Sequence, residues 1–166
     1  MSTTNLYNQE AKEKMKDLAE DIDFTMLATR LGKKPFHAIP MSTKKVDELG
    51  NIWFLSGRDS QHNANIVKNN DVQLLYSKPS NMEFMVVSGT AHITTEKSIL
   101  EELYGPSDDM WFDGFEDPNL SAIKVQPNEA HYWEPKHNKL VTLFKMGVST
   151  ITGNEPDLGE DGDLEL

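Results

Sequence analysis

The chain has 166 residues, a net charge of −11 and no cysteine, which fits one domain that folds without a metal or a disulfide. The acidic balance argues against nucleic acid as a partner, and no apolar run approaches the ~20 residues of a membrane span, so neither nucleic acid nor membrane is expected. The lack of cysteine excludes disulfides, thiolate catalysis and cysteine metal sites, and it fits a cytoplasmic protein.

The first elements in the chain are predicted to be a helix and two strands. Apolar residues recur at helical spacing over residues 8–22, with charged residues on the opposite face, which predicts an amphipathic helix. Strands are predicted over residues 24–30 and 36–41. Pro40 lies in the second strand and cannot donate to a sheet ladder, so this strand is expected at an edge or a bulge.

The next segment combines a hairpin, a strand and the start of a helix. A turn at Gly50 precedes a predicted strand over residues 52–56, and a helix is predicted from Gln61. Between them, the run Ser56-Gly57-Arg58-Asp59-Ser60 leaves hydroxyls and free backbone N–H groups at the positive end of the helix dipole, which suits a phosphate. A simpler explanation, favoured when this feature stands alone, is that Asp59 or Ser60 caps the helix. Three apolar residues are expected to anchor that helix: Ala64, Ile66 and Val67.

The second half of the chain is predicted to be mostly strands, in a small antiparallel barrel. Strands are expected over residues 72–76, 83–94, 121–126 and 130–134, and helices over residues 96–104 and 139–150. An acidic loop over residues 108–118 carries large aromatic side chains, which usually plug a core or meet a partner. Residues 154–166 contain six acids and no lysine or arginine, so a solvated tail is predicted after a domain of residues 1–153.

No catalytic constellation is visible in the sequence. The five histidines show no metal-binding spacing, and no nucleotide-binding or nucleophile motif is present. Each histidine is therefore interpreted as a surface residue or a hydrogen-bonded core residue. No catalytic residue and no metal ligand is predicted from the residues alone.

Several short motifs follow one another in an order that is typical of a known family. They include His37-Ala38-Ile39-Pro40-Met41 and Met110-Trp111-Phe112-Asp113-Gly114. The other matching pieces lie at residues 50–55, 59–60, 87–91, 117–120, 125–127, 130–133 and 139–141. Each motif is weak, but their order and spacing make the chain resemble the general stress protein branch of the pyridoxamine 5′-phosphate oxidase-like split-barrel flavoproteins.

The resemblance implies a mainly β fold with flanking helices, a six-stranded antiparallel split β-barrel that forms a homodimer. It implies flavin mononucleotide (FMN), with FAD as the alternative, in a cleft that both chains line, and the function of a flavin-binding general stress protein with oxidoreductase activity. It places Ile39, Pro40 and Met41 at the flavin edge, Leu55 and Ser56 at the ribityl chain, Ser60, Gln61 and His62 with Arg58 at the phosphate, and Phe84, Trp111 and Trp133 around the cleft.

The sequence departs from the family pattern around the phosphate. The family usually has an arginine at the position of Ile39 and a basic pair at Gln61-His62. A protonated His62 and a reoriented Arg58 are expected to recover part of the lost charge, so that affinity falls as His62 deprotonates. The alternatives are a non-catalytic flavin-binding or ligand-binding module and a cofactor-free dimer.

Pyridoxamine phosphate oxidation is not expected. The true oxidase of this superfamily carries an arginine-and-histidine segment after its C-terminal tryptophan, whereas here Trp133 is followed by Glu134-Pro135-Lys136 and no arginine follows Arg58.

Overall fold

The computed structural model describes residues 2–136 and 159–166. The strands are β1 (Ser2–Thr3), β2 (Leu6–Tyr7), β3 (Phe24–Thr29), β4 (His37–Ser42), β5 (Lys45–Val46), β6 (Ile52–Gly57), β7 (Asp71–Lys78), β8 (Glu83–Thr94), β9 (Leu120–Pro135) and β10 (Gly159–Glu165). The helices are α1 (Asn8–Ile22), α2 (Gln61–Lys68), α3 (Lys97–Leu103) and a 3-10 helix (Pro106–Met110). The expected mainly β fold with flanking helices is confirmed.

The strands form one sheet that curls on itself without closing. Neighbours follow the order β1-β10-β9-β8-β7-β3-β4, while β6 pairs with β5 and with the first half of β9. The edge strand β4 thus comes back beside β6, and in the described part of the chain the two strands touch without forming a ladder. We call this open junction the seam. It makes the barrel a split one, as expected.

Helix α1 fills the inner side of the curled sheet. Five residues of its apolar face are buried in the main core: Ala11, Met15, Leu18, Ala19 and Ile22. Met15 is completely buried in the same cluster as Leu74, Met85 and Tyr132. Burying one such side chain contributes about 1.5–3 kcal/mol, so α1 is an integral part of the barrel.

The two strands predicted over residues 121–126 and 130–134 are one strand, β9. Instead of turning at Pro127, the chain forms a β-bulge, because Pro127 stands opposite Gly89 while Glu129 stands opposite Ser88. A bulge accommodates a proline that has no N–H to donate to the ladder. Gly89 is required here because a Cβ would lie 2.4 Å from the Gln126 carbonyl oxygen.

The C-terminal residues also differ from the predicted solvated tail. Strand β10 pairs antiparallel with β9 and parallel with β1 and β2 on its other side, and Leu164 is buried in the main core. Backbone pairing on both edges stabilises an acidic strand whose charge pattern alone indicates solvation. The tail prediction is therefore wrong for residues 159–165. Residues 154–158 and the helix predicted over residues 139–150 lie outside the described residues.

We call β10 with β1 and β2 the clasp, since it joins the two ends of the chain. The Thr4 N–H donates to the Asp161 carbonyl oxygen at 2.8 Å, and the Tyr132 hydroxyl donates to the Thr4 carbonyl oxygen at 3.1 Å. The chain segments approach so closely that a Cβ at Gly162 would lie 1.9 Å from the Thr4 oxygen. The clasp therefore requires glycine at this position.

Candidate functional site

The first turn of α2 lies beside the seam. Helix α2 starts directly after β6 and packs on β3 and on the edge strand β4. The turn before it is fixed by two backbone hydrogen bonds, from Arg58 N–H to the Asn119 carbonyl at 2.7 Å and from Ser60 N–H to the Gly57 carbonyl at 3.1 Å. The fold thus brings the predicted phosphate residues to the open edge of the barrel.

Ser60 caps helix α2. Its hydroxyl oxygen accepts the Asn63 N–H at 3.2 Å, so the simpler explanation for this run is confirmed for Ser60. The cap leaves the N–H groups of Gln61 and His62 without a carbonyl of the helix in front of them. The Ser60 hydroxyl also lies 3.0 Å from His62 Nε2. A cap and a set of donors for a ligand therefore coexist in this turn.

The inward face of α2 is polar. Asn63 and Asn65 are buried, whereas Ala64 and Val67, which were predicted as anchors, are exposed, and only Ile66 packs in the core as expected. The anchoring prediction is wrong for Ala64 and Val67 because the helix turns its amides, and not its small apolar residues, toward the sheet.

Each buried amide has hydrogen-bond partners on a barrel strand. The Asn63 amide nitrogen donates to the Ser121 hydroxyl at 2.9 Å, and its oxygen accepts from the Ser56 hydroxyl at 3.0 Å. The Asn65 amide nitrogen donates to the Thr29 hydroxyl at 3.0 Å. Leaving such a buried group unpaired costs about 1–3 kcal/mol, so this network fixes the orientation of α2 relative to the seam.

His62 is a neutral imidazole at pH 7. Burial lowers its pKa to about 4, and the positive charge of His37 on β4 acts in the same direction. His37 itself has a solvent-inaccessible Nδ1 without a hydrogen-bond partner. Desolvation thus outweighs the imidazole's ordinary basicity, and the expectation that a protonated His62 recovers part of the lost charge at a phosphate stays a prediction.

The other two polar candidates already have partners inside the chain. Arg58 is exposed, and its Nε donates to the Leu120 carbonyl oxygen at 2.9 Å. The Gln61 amide nitrogen donates to Asn65 Oδ1 at 3.1 Å. These side chains serve the turn and the helix, whereas the backbone N–H groups of Gln61 and His62 have no carbonyl partner in the helix.

The flavin-binding candidates on strands β4 and β6 point to different faces of the sheet. Strand alternation turns Ile39 and Met41 toward the core and leaves Pro40 exposed. Ser56 is buried in the α2 network, and Leu55 packs on the second apolar cluster under α3. The side chains of Met41 and Ser56 thus have no free surface for a ligand, and only the backbone of these residues is left to contact one.

Two of the three aromatic candidates lie away from the seam of the same chain. Phe84 and Trp133 stand opposite each other on β8 and β9, and β7 and β3 separate them from β4 in the sheet. Trp111 follows the 3-10 helix and is 76% exposed. Within one chain the structure therefore brings together the α2 and β4 candidates and leaves Phe84 and Trp133 apart.

The loop that carries Trp111 is well anchored. Lys44 pairs with Asp108 at 2.7 Å, and the Tyr104 hydroxyl donates to Asp109 at 2.8 Å. Phe112 packs on the second apolar cluster, whereas Trp111 stays on the surface. The expected core-filling role is thereby confirmed for Phe112, whereas a partner contact for Trp111 stays a prediction.

A cavity of about 530 Å³ lies elsewhere, between α1 and the β5–β6 turn. Two of its lysines are already paired, Lys16 with Glu20 at 2.9 Å and Lys45 with Glu102. Two of the three lysines that line it are thus engaged within the chain, and we do not place the site there.

The sequence does not single out the two asparagines that hold α2 in place. It also leaves His37 as one of five histidines without an assigned role. Asparagine is a poor residue for a helix interior, so two of them in one eight-residue helix could have indicated a buried polar contact. Ser121 and Thr29 carry no such signal, because they meet α2 only through the fold.

Within residues 2–136 and 159–166, no helix is long and apolar enough to cross a membrane. The same residues contain no group of three or more side chains arranged to hold a metal ion.

Residues 10–157 match the family model described as pyridoxamine 5′-phosphate oxidase like. The chain belongs to this family. The sequence resemblance to it is thereby confirmed, and the family match covers both the seam and helix α2.

Several known proteins are similar to the chain at low sequence identity. General stress protein 26 from Jannaschia sp. CCS1 has a TM-score of 0.78 and 23% identity, over 96% of this chain and 100% of that one. The general stress FMN/FAD binding protein of Xanthomonas citri has a TM-score of 0.64 and 24% identity, over 76% and 90% of the two chains. Protein bli-3 of Neurospora crassa is 24% identical over 141 residues, which are 78% of this chain and 68% of that protein. The solved structures confirm the split-barrel fold.

Proposed function

We propose that this chain binds FMN at the seam, with the phosphate against the first turn of α2. The observation that carries the proposal is the position of this turn, which holds two free N–H groups and the Ser60 hydroxyl beside the open edge strand β4. Family membership supports it, as does the general stress FMN/FAD binding protein among the similar structures. FAD is the alternative ligand, since it carries the same flavin and a phosphate at the same place.

The residues at the seam fit a phosphate through uncharged donors. Backbone N–H groups at a helix start bind anions well, and the buried His37 Nδ1 has no partner of its own. His62 lies next to Ser60 and carries no acidic neighbour in the first turn of α2. What the seam lacks is a fixed positive charge on the first turn of α2 or on β4, so we expect weaker binding than a site with an arginine provides.

We propose that the working unit is a homodimer. Four outward positions that stand side by side on β4, β3, β7 and β8 are apolar: Pro40, Met26, Leu75 and Val86. Phe24 on the same face of β3 is 61% exposed. A second copy is the occupant that would cover this face. It would bring Trp111 or Trp133 of one chain to the seam of the other, and Trp133 does not reach the seam of its own chain. Sedimentation of the Met26→Glu variant should show a monomer, with wild type as a dimer at micromolar concentration.

We propose a flavin-dependent oxidoreductase role within a stress response. A bound flavin supplies the electron transfer, while the chain binds and orients it. This assignment needs no acid or base from the protein, in keeping with the lack of a catalytic constellation in the sequence. Pyridoxamine phosphate oxidation is not proposed, because no arginine follows Arg58 in the sequence.

The second candidate is a flavin or ligand module without turnover, or a dimer without cofactor. The observation that favours it is that Arg58 and Gln61 are engaged within the chain and that the low pKa of His62, caused by burial, leaves it neutral. A site with so little positive charge is expected to bind a phosphate more weakly than a site with the arginine and the basic pair that are usual in the family.

A visible absorption spectrum after incubation with FMN and desalting separates the candidates. A retained flavin band that a nicotinamide nucleotide bleaches supports the oxidoreductase. A retained band that resists reduction supports the module without turnover. A colourless protein before and after incubation contradicts flavin binding.

A further inference from the structure

A second cavity lies on the far wall of the one beside α1, and its residues differ in charge from the rest of the chain. It has a volume of about 380 Å³, which is within the range of small-molecule sites. Helix α1, the β5–β6 turn and the bulge of β9 form its walls, whereas α2 and β4 contribute no residue to them. The cavity is therefore separate from the seam. We call it the lysine cavity.

Two lysines that line this cavity have no acidic partner. Lys12 and Lys124 are partly buried, and neither forms an ion pair with a carboxylate in the described part of the chain, that of Leu166 included. Six other lysines are each paired with an acid: Lys14, Lys16, Lys44, Lys45, Lys78 and Lys97. Glu13 and Glu48 line the neighbouring cavity, and no aspartate or glutamate of the described residues lines this one. In a chain of net charge −11, the lysine cavity is a local excess of positive charge.

Asp47, the acid of the adjacent turn, is engaged by the turn itself. Its carboxylate accepts the N–H groups of Leu49 at 3.0 Å and of Asn51 at 2.9 Å, and also the indole Nε1–H of Trp53 at 2.9 Å. Lys124 lies with its Nζ 5.9 Å from the centre of the Trp53 ring. The turn thus uses its acid to orient the indole, and Lys124 lies over an aromatic ring instead of beside a carboxylate.

Much of the remaining wall is apolar. Leu49, Pro127 and Leu166 line the cavity, and Leu49 is 76% exposed. A Cβ at Gly50 would lie 3.5 Å from Lys12 Cγ, so the aliphatic stem of this lysine packs beside the turn and adds apolar surface. The lysine cavity therefore combines unpaired positive charge with an apolar wall, which is the arrangement that suits an anion with an apolar body.

We propose that the lysine cavity binds a small organic carboxylate, with its anionic head at Lys12 and Lys124 and its aliphatic body against Leu49. Hydrogen bonds from an ammonium group to a carboxylate are stronger than those between neutral groups, and covering the exposed leucine removes apolar surface from water. An inorganic anion would leave that apolar wall uncovered. The site does not depend on the proposed function, because it uses no residue of the seam.

NMR titration of the full chain with octanoate and with octanamide, its neutral isostere, tests the charge and the body separately. We expect one octanoate per chain with a Kd on the order of 1 mM. Octanamide should bind about tenfold more weakly, because it lacks the charge-assisted hydrogen bond. Equal affinity for the two ligands would overturn the assignment of an anion, and no binding of either would overturn the site.

Two variants test whether the lysines carry the selectivity. Lys12→Gln and Lys124→Gln each keep a polar side chain without the charge, so octanoate affinity should fall toward that of octanamide. Lys33→Gln is the matched control, since Lys33 is an exposed lysine outside the cavity without an acidic partner among the described residues. It should bind octanoate as wild type does. Full octanoate affinity in both cavity variants would overturn the site.

The indole N–H signal of Trp53, assigned against Trp53→Phe, reports the position without a lysine variant. Octanoate bound beside Lys124 should shift this signal in the wild type. An unchanged signal at saturating octanoate would overturn the proposed position, even if a lysine variant failed to fold. FMN takes no part in these titrations, so their failure leaves the proposed function intact, and a failure of FMN to bind leaves this site intact.

Discussion

The seam and the clasp each contain a histidine, and the two imidazoles have opposite electrostatic surroundings. At the seam, His62 is half-buried, and burial lowers its pKa to about 4. At the clasp, His131 lies between two carboxylates of β10, with Nδ1 2.6 Å from Asp163 and Nε2 3.5 Å from Asp161. At the clasp, the chain itself supplies the acidic partners of the histidine. At the seam, no carboxylate of the described residues acts on the pKa of His62, and the proposed phosphate would be its counter-charge.

We expect the stability of the clasp to be sensitive to any side chain added where its backbone segments touch. In Gly162→Ala the new Cβ would overlap the Thr4 carbonyl oxygen, and overpacking of this kind costs about 1–3 kcal/mol. Gly32→Ala is the matched control, since its Cβ would meet nothing within 4 Å. Urea unfolding of both variants measures the effect, and equal midpoints for the two would contradict the tight clasp.

At the seam, the polar network of α2 can be broken without touching the proposed ligand donors. Asn65→Ala removes the partner of Thr29 and of Gln61, so we expect a loss of about 1–2 kcal/mol in the free energy of unfolding and weaker FMN retention. Asn70→Ala, at an exposed asparagine, should change neither. If Asn65→Ala lowered stability but kept full FMN affinity, the network would not position the site.

The neutral state of His62 gives the folded protein a defined pH dependence. Its pKa is about 4 in the folded chain and about 6.5 in the unfolded chain. Between these values the unfolded chain binds the extra proton, so stability is full above pH 6.5 and is lost as the pH falls toward 4. After discounting for its partial exposure, the contribution is roughly 1–2 kcal/mol.

Unfolding of wild type and His62→Gln at pH 4.5 and pH 7 tests this sign. The difference in stability between the two pH values should be smaller in the variant, because glutamine does not titrate. A pH dependence identical in both proteins would show that His62 does not make this contribution.

The smallest effect is expected at the ion pairs of the clasp. Asp163→Asn removes one carboxylate from His131, but Asp163 is exposed and Asp161 remains. A surface pair of this kind contributes about 0.2–1 kcal/mol. Asp71→Asn, at another exposed aspartate, is the control. A loss above 2 kcal/mol, well outside that range, would mean that this pair holds β10 in place.

The sequence predicts the elements of the fold well where local pattern decides them. The apolar spacing of α1, the strand that contains Pro40 and the start of α2 at Gln61 were all correct. These features depend on neighbours within a few residues, which is the range over which a sequence pattern carries information.

Features that depend on distant partners were not predictable in the same way. Leu164 is buried because β9 and β1 supply backbone partners for an acidic strand, and no local pattern indicates such pairing. Asn63 faces inward because Ser121, far along the chain, offers it a hydroxyl. The pKa of His62 is lowered by burial, which is a property of the fold and not of the sequence run.

The central claim is that the seam binds FMN with the phosphate against the first turn of α2. A crystal structure of the protein grown with FMN tests it most directly. The account predicts flavin density at the seam, with phosphate oxygens at hydrogen-bond distance from the Gln61 and His62 N–H groups and from the Ser60 hydroxyl. Flavin bound at another surface, or a seam without density at saturating FMN, would contradict it.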